Sequence, residues 1–232
     1  MMKRMMVTVC ALAVASAFAE VSPVDISFAR GKWNRDDFFV AKSWRFDYVG
    51  LFDQRDDAIV NHCPDGVSPE DLYKKHSNAV YSALVYKDMF DLGVTISSRM
   101  AWDWRMAPII VIAPEMGRSA DGVPEFRNHW EVCLYDAGIN LWYHFFENGK
   151  QKWHKAAAID IPKRDYYARN TPHELVVRLA RNGNGRKEIT VLCGDFRFNH
   201  VDDTLPERFY AGIIGCEGRN FFYDFKVTAQ KK

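Results

Sequence analysis

The chain lacks any excess of charge. Its 31 Lys and Arg against 30 Asp and Glu leave a formal net charge of +1. A protein this neutral has no electrostatic basis for binding nucleic acid or an anionic membrane surface. It also lacks a hydrophobic run long enough to span a bilayer, which takes about 20 residues. Among its five cysteines no two have the close spacing of a zinc site. There is no internal repeat, no low-complexity segment and no linker. Helix signals are few. These absences leave a single domain built from something other than helices.

The first residues read as a targeting segment. Lys3 and Arg4 form a short positive region, Met5 to Ala17 is apolar, and Ala17-Phe18-Ala19 is a small-x-small cleavage site. Residues 1–19 are therefore expected to be a secretory signal peptide cleaved after Ala19. The remaining 20–232 would be secreted or periplasmic, and loss of Lys3 and Arg4 takes the formal charge from +1 to −1. The residues around Cys10 do not resemble a lipoprotein cleavage box. Cys63, Cys133, Cys193 and Cys216 remain after cleavage. An oxidising compartment permits one or two disulfides among them, while buried free thiols on strands are the plainer alternative.

What is abundant is strand signal. Short segments rich in β-branched and aromatic residues, bounded by Gly, Pro, Asn or Asp, recur from Ser43–Phe52 through Phe90–Trp102, Pro108–Ala113, Asn128–Tyr135 and Asn140–Phe146 to Phe221–Thr228. Asn148-Gly149 and Asn182-Gly183-Asn184-Gly185 have the chemistry of hairpin turns. Ser68-Pro69-Glu70-Asp71 opens a short helix to about His76. Thr171-Pro172-His173-Glu174 resembles a helix cap, but the alternation of Leu175, Val177 and Leu179 favours a strand. The pattern predicts an all-β, antiparallel β-sandwich with one or two short helices, as a single domain over 20–232.

One hairpin stands apart. In Arg127–Tyr135, strand alternation puts Trp130, Val132 and Leu134 on one face and Arg127, His129, Glu131, Cys133 and Tyr135 on the other. In Asn140–Phe146, Leu141, Tyr143 and Phe145 oppose Asn140, Trp142, His144 and Phe146. With Asp136–Ile139 as the loop, Tyr135 pairs with Asn140, Cys133 with Trp142, and Glu131 with His144. Both apolar sets then share one side. A carboxylate beside a His raises the His pKa and fixes its tautomer, which is general acid/base equipment. The turn at Asn148-Gly149 brings Trp153 opposite His144. Alternation in Val94–Trp102 turns Arg99 toward the same open face.

The closing stretch Tyr210-Ala211-Gly212-Ile213-Ile214-Gly215-Cys216, followed by Phe222-Tyr223-Asp224-Phe225-Lys226-Val227, resembles the last strands of concanavalin A-like lectin/glucanase jelly rolls, in particular laminin-G-like and 3-keto-disaccharide hydrolase domains. Ser82–Val85 followed by Phe90–Ile96 resembles their early strand pair. The resemblance spans roughly residues 40–228 and implies a jelly roll. It does not fix an activity, because that superfamily holds lectins, hydrolases and lyases. The paired-acid motif Glu-x-Asp-x-x-Glu of one glucanase family is absent, with only Glu131 and then Asp136 near its place. The resemblance also implies a structural calcium ion near the terminal strands, with Asp224 as a ligand. No cofactor is otherwise required.

The leading expectation is an exported protein that binds and cleaves a polysaccharide or oligosaccharide on the concave face. Glu131 and His144 would be its acid/base pair, and Arg99, His129, Trp142 and Trp153 its substrate contacts. The alternative is a non-catalytic, lectin-like module in which Trp142 and its neighbours bind sugar. A surface or assembly protein with aromatics at an interface is a third reading.

Overall fold

A computed structural model describes residues 23–76, 80–104 and 106–230. The signal peptide expected over 1–19 lies outside the described residues. In chain order the strands begin with β1 (Val24–Ser27), β2 (Phe38–Ala41), β3 (Leu51–Gln54), β4 (Ile59–His62), β5 (Tyr81–Tyr86), β6 (Phe90–Asp91) and β7 (Val94–Trp104). They continue with β8 (Pro108–Ala113), β9 (Met116–Arg118), β10 (Pro124–Phe126), β11 (His129–Tyr135), β12 (Gly138–Glu147) and β13 (Lys150–Asp160). The last are β14 (His173–Arg181), β15 (Lys187–Cys193), β16 (Phe196–Val201), β17 (Arg208–Cys216), β18 (Arg219–Phe222) and β19 (Asp224–Ala229). One helix, α1 (Pro69–His76), starts where Ser68 Oγ accepts the Asp71 amide at 3.2 Å. His173–Arg181 is a strand, as the Leu175/Val177/Leu179 alternation predicts.

Two antiparallel sheets form the sandwich. The front sheet runs β13-β12-β11-β8-β17-β5-β2, and the back sheet contains β16-β15-β14-β7-β18-β4-β3 with β19 and β1. Their inner faces meet in one core, to which Ile110, Trp130, Val132 and Ile213 contribute from the front and Ile96, Trp102, Val177 and Phe225 from the back. Inward apolar residues alternate with outward ones, as a two-sheet stack requires. No helix among the described residues is long and apolar enough to cross a membrane.

The front sheet departs from simple alternation. Every residue of β8 is buried, as are six of the seven in β11. A second apolar cluster explains this. Phe46 and Phe126 pack over the outward side chains Tyr81, Ala83, Val85, Ile109, Val111 and Ile214. Ser43–Phe52 is therefore only partly a strand. Residues 43–50 form a loop that folds over the outer face, and its aromatics answer to that second cluster, not to a ladder. The front sheet's outer face is covered over β5, β8 and β17 and opens only toward β11, β12 and β13.

The hairpin register differs from expectation. Tyr135 pairs with Gly138, Cys133 with Asn140, Glu131 with Trp142 and His129 with His144. The loop is Asp136-Ala137, two residues shorter than expected. The reason is Gly138, whose missing Cβ lets the strand start against the carbonyl oxygen of Ile159 on β13. A shift of two residues preserves parity, so the same side chains stay on the same faces. The next turn is as expected. Asn148 and Gly149 have φ of 53° and 75°, and Trp153 pairs with His144. A bulge falls between Leu141 and Trp142, beyond the Trp153 pair.

All four described cysteines are buried thiols, and no disulfide joins them.

Candidate functional site

Glu131, His129 and His144 come together on the outward face of β11 and β12, and each is under 5% exposed. Glu131 Oε1 accepts from Tyr81 Oη at 3.1 Å and lies 3.3 Å from His129 Nε2. Glu131 Oε2 lies 3.2 Å from His144 Nε2. Glu131 and His144 are thus diagonal neighbours, because the direct partner of Glu131 is Trp142. The two imidazoles stack at 4.6 Å and 8°. His129 Nδ1 faces the Arg127 carbonyl at 2.7 Å, and its ring packs against Phe126 at 4.8 Å.

Burial opposes the charge on Glu131. The attraction of His144 and the hydrogen bonds from His129 and His144 outweigh it and hold the carboxyl well below the usual range. For His144 burial wins over the pull of Glu131, and the ring is held below the usual histidine range. The ionised carboxylate stands on either charge state of His144, because Tyr81 and both histidines converge on it. A carboxylate so held is a poor proton donor.

Above the cluster is a cavity of about 250 Å³. Its lining includes Arg45, Glu131, Asn140, Trp142, His144 and Trp153, with Cys133 and Cys216 deeper in the wall. Trp153 is 52% exposed and stacks on His144 at 6.3 Å and 26°. Trp142 is half-buried beneath the ammonium of Lys155, 5.8 Å from its centroid. Two buried polar atoms of the lining, Asn140 Oδ1 and His144 Nδ1, have no hydrogen-bond partner. Burial pushes the Cys216 thiol up to about 12 and Cys133 well above its ordinary value, so neither is a nucleophile near neutral pH.

Arg45 is the residue that sequence reasoning missed. It lies over the Tyr81 ring at 5.5 Å and over Phe46 at 5.6 Å, and no ion pair engages it among the described residues. Its guanidinium is held above its ordinary value: burial opposes the charge, but Cys216, Glu131 and Tyr81 more than offset it. The available signal was an Arg between two aromatics, Trp44-Arg45-Phe46.

One expected residue lies elsewhere. Arg99 is on β7 of the back sheet, with its side chain on that sheet's outer face, so it cannot join the cluster. It pairs with Asp224 at 2.6 Å, and its backbone amide donates to the same carboxylate at 2.7 Å. That pairing accounts for the burial of Asp224. Both carboxylate oxygens are engaged by Arg99, and calcium, which takes six to eight oxygen ligands, would need further oxygens beside it. His129 is in the cluster but lines no part of the cavity; it backs Glu131 from behind. Asp136 accepts from Trp102 Nε1 at 2.7 Å and Arg169 at 2.9 Å, a role in loop packing.

No family model matches the sequence, and no curated protein matches it significantly. Solved structures do match in shape. The carbohydrate-binding module CBM66 from Bacillus subtilis aligns with a TM-score of 0.53 at 11% identity, over 83% of this chain and 96% of that one. The exoplasmic/lumenal domain of VIP36 in a Ca2+/Man3GlcNAc-bound form aligns at 0.53 and 12% identity, over 89% and 88%. A legume lectin-like domain from Entamoeba histolytica aligns at 0.51 and 10% identity, over 89% and 97%. Sequence likeness at this level speaks to architecture alone. The chain has the concanavalin A-like jelly-roll fold.

Proposed function

We propose that this chain is an exported, lectin-like carbohydrate-binding domain that holds one sugar unit or a glycan end in the cavity over β11, β12 and β13. The observation that carries this reading is the lining itself. Trp142 and Trp153 offer apolar faces for sugar C–H groups, the Arg45 guanidinium lines the same cavity with donors for hydroxyls, and Asn140 and His144 each carry a buried polar atom without a hydrogen-bond partner in its wall. An orphaned buried acceptor costs about 1–3 kcal/mol, which a bound donor relieves. A volume of about 250 Å³ falls below the ~300–1,000 Å³ of pockets for drug-sized ligands, which favours a single ring. Exposed Trp44, in edge contact with Phe146 at 5.8 Å, extends the aromatic surface for further units.

Binding is favoured over cleavage. The expected acid, Glu131, is buried, triply engaged and held ionised, and the expected arginine lies on the other sheet. The solved structures of like shape include a carbohydrate-binding module and a glycan-bound lectin domain, which agrees with the binding reading. The exoplasmic or lumenal setting of the VIP36 domain agrees with export of this chain.

A glycan array followed by titration calorimetry tests the proposal. The wild type binds at least one glycan, and Trp153→Ala weakens that binding at least tenfold, a loss typical of an aromatic anchor. No binding across a broad panel, or a reducing-end product released from a bound glycan, would overturn it.

A further inference from the structure

The geometry points to a first-row transition-metal site built from His129 Nε2, Glu131 and His144 Nε2 at the base of the cavity. These are the one group of three or more His, Cys, Asp or Glu among the described residues whose ligand atoms all lie within 4.8 Å of one another. The His129 and His144 nitrogens stand 3.3 and 3.2 Å from the two carboxylate oxygens. With metal–nitrogen and metal–oxygen bonds of about 2.0–2.2 Å, ligand atoms of a tetrahedral site are about 3.4 Å apart. Each His–carboxylate contact is close to that spacing, each to its own oxygen of Glu131, and the three ligand atoms lie within 4.8 Å of one another, so a small closing movement of the side chains around an ion would complete such a site.

The donor chemistry selects the ion. Two imidazoles and one carboxylate suit Zn2+ and its neighbours, and do not suit calcium, which wants an all-oxygen shell. Outer partners are in place. The Arg127 carbonyl accepts from His129 Nδ1, which frees Nε2 as the ligand nitrogen, and Tyr81 Oη donates to Glu131 and fixes the carboxylate. Three protein ligands leave a position open, and Glu131 and His144 both line the cavity, so that position faces it. A sugar hydroxyl or a water would complete the shell. The placement of the three ligands does not depend on the sugar reading.

The test titrates the full chain, stripped with chelator, with Zn2+ by calorimetry and with Co2+ by visible absorption. We expect one equivalent of Zn2+, d–d bands of a four- or five-coordinate Co2+, and at least tenfold weaker binding in both His129→Ala and His144→Ala. Should either variant misfold, 15N histidine NMR of the wild type replaces it, and Zn2+ is expected to move the Nε2 resonances of His129 and His144. Absence of Zn2+ and Co2+ binding in the folded wild type would overturn the proposal. So would metal-induced shifts confined to other histidines, or binding unchanged in both variants. Glycan binding measured on the chelator-stripped and the Zn2+-loaded chain separates the two readings, since Zn2+ binding without binding of any glycan overturns the sugar reading alone, and glycan binding without Zn2+ or Co2+ binding overturns the metal site alone.

Discussion

At the scale of single residues, one buried carboxylate organises the outer face. Glu131 is charged in a place where charge is costly, and it is tolerated only because Tyr81, His129 and His144 converge on it. Removing it leaves three polar partners buried without an acceptor. Glu131→Ala is therefore expected to cost about 3–5 kcal/mol, which for a domain of this size lowers the melting temperature by roughly 6–20 °C. Differential scanning calorimetry checks this, and a loss of under 2 °C would mark the cluster as dispensable. Trp153→Ala is expected to behave in the opposite way. Its ring is half in solvent, so stability changes by under about 0.5 kcal/mol while glycan affinity falls.

The residues of the cluster were legible in the sequence because strand parity sorts side chains between faces without needing the register. A slip of two residues left Glu131, His144, Trp142 and Trp153 on one side. Arg45 and Arg99 were not legible for a single reason. Which sheet a strand joins, and where a loop folds back, depends on contacts far apart in sequence. Alternation shows that Arg99 faces outward but not that its outside is the other side of the sandwich.

At the scale of elements, two turns and one loop place the site. The Asn148-Gly149 turn sets Trp153 opposite His144. Gly149 has a φ of 75°, a region that costs a residue with a Cβ about 1 kcal/mol or more. Gly149→Ala should lose about that much in urea unfolding, and no loss would mean the turn adapts. The loop over 43–50 matters more. Phe46 is 3% exposed and caps Tyr81 and its neighbours while carrying Arg45 into the cavity. Phe46→Ala should cost about 3–5 kcal/mol and also weaken glycan binding. Loss of stability with binding untouched would separate the loop from the site.

At the scale of the whole molecule, the sandwich has a second apolar layer on the front sheet's outer face, and the site opens where that layer stops. The strand-rich architecture was legible from short runs and turn chemistry. The second layer was not, because an apolar residue buried under a loop reads the same as one buried between sheets. The buried charge also shapes the response to acid. The folded pKa of Glu131 lies below its unfolded value of about 4.3, so its stabilisation is complete above that value and is lost as pH falls through the folded one. The wild type should lose melting temperature more steeply than Glu131→Gln between about pH 4 and the folded value. Parallel curves for the two would show that the carboxylate is not held low.

The central claim is that the cavity beside Trp142 and Trp153 receives a carbohydrate. The most direct measurement follows the tryptophan indole N–H resonances during titration with a glycan identified on an array. The account predicts that the Trp142 and Trp153 signals move in step with saturation, while those of the fully buried Trp102 and Trp130 stay in place. Movement confined to other tryptophans, or none with any glycan of a broad panel, would contradict it.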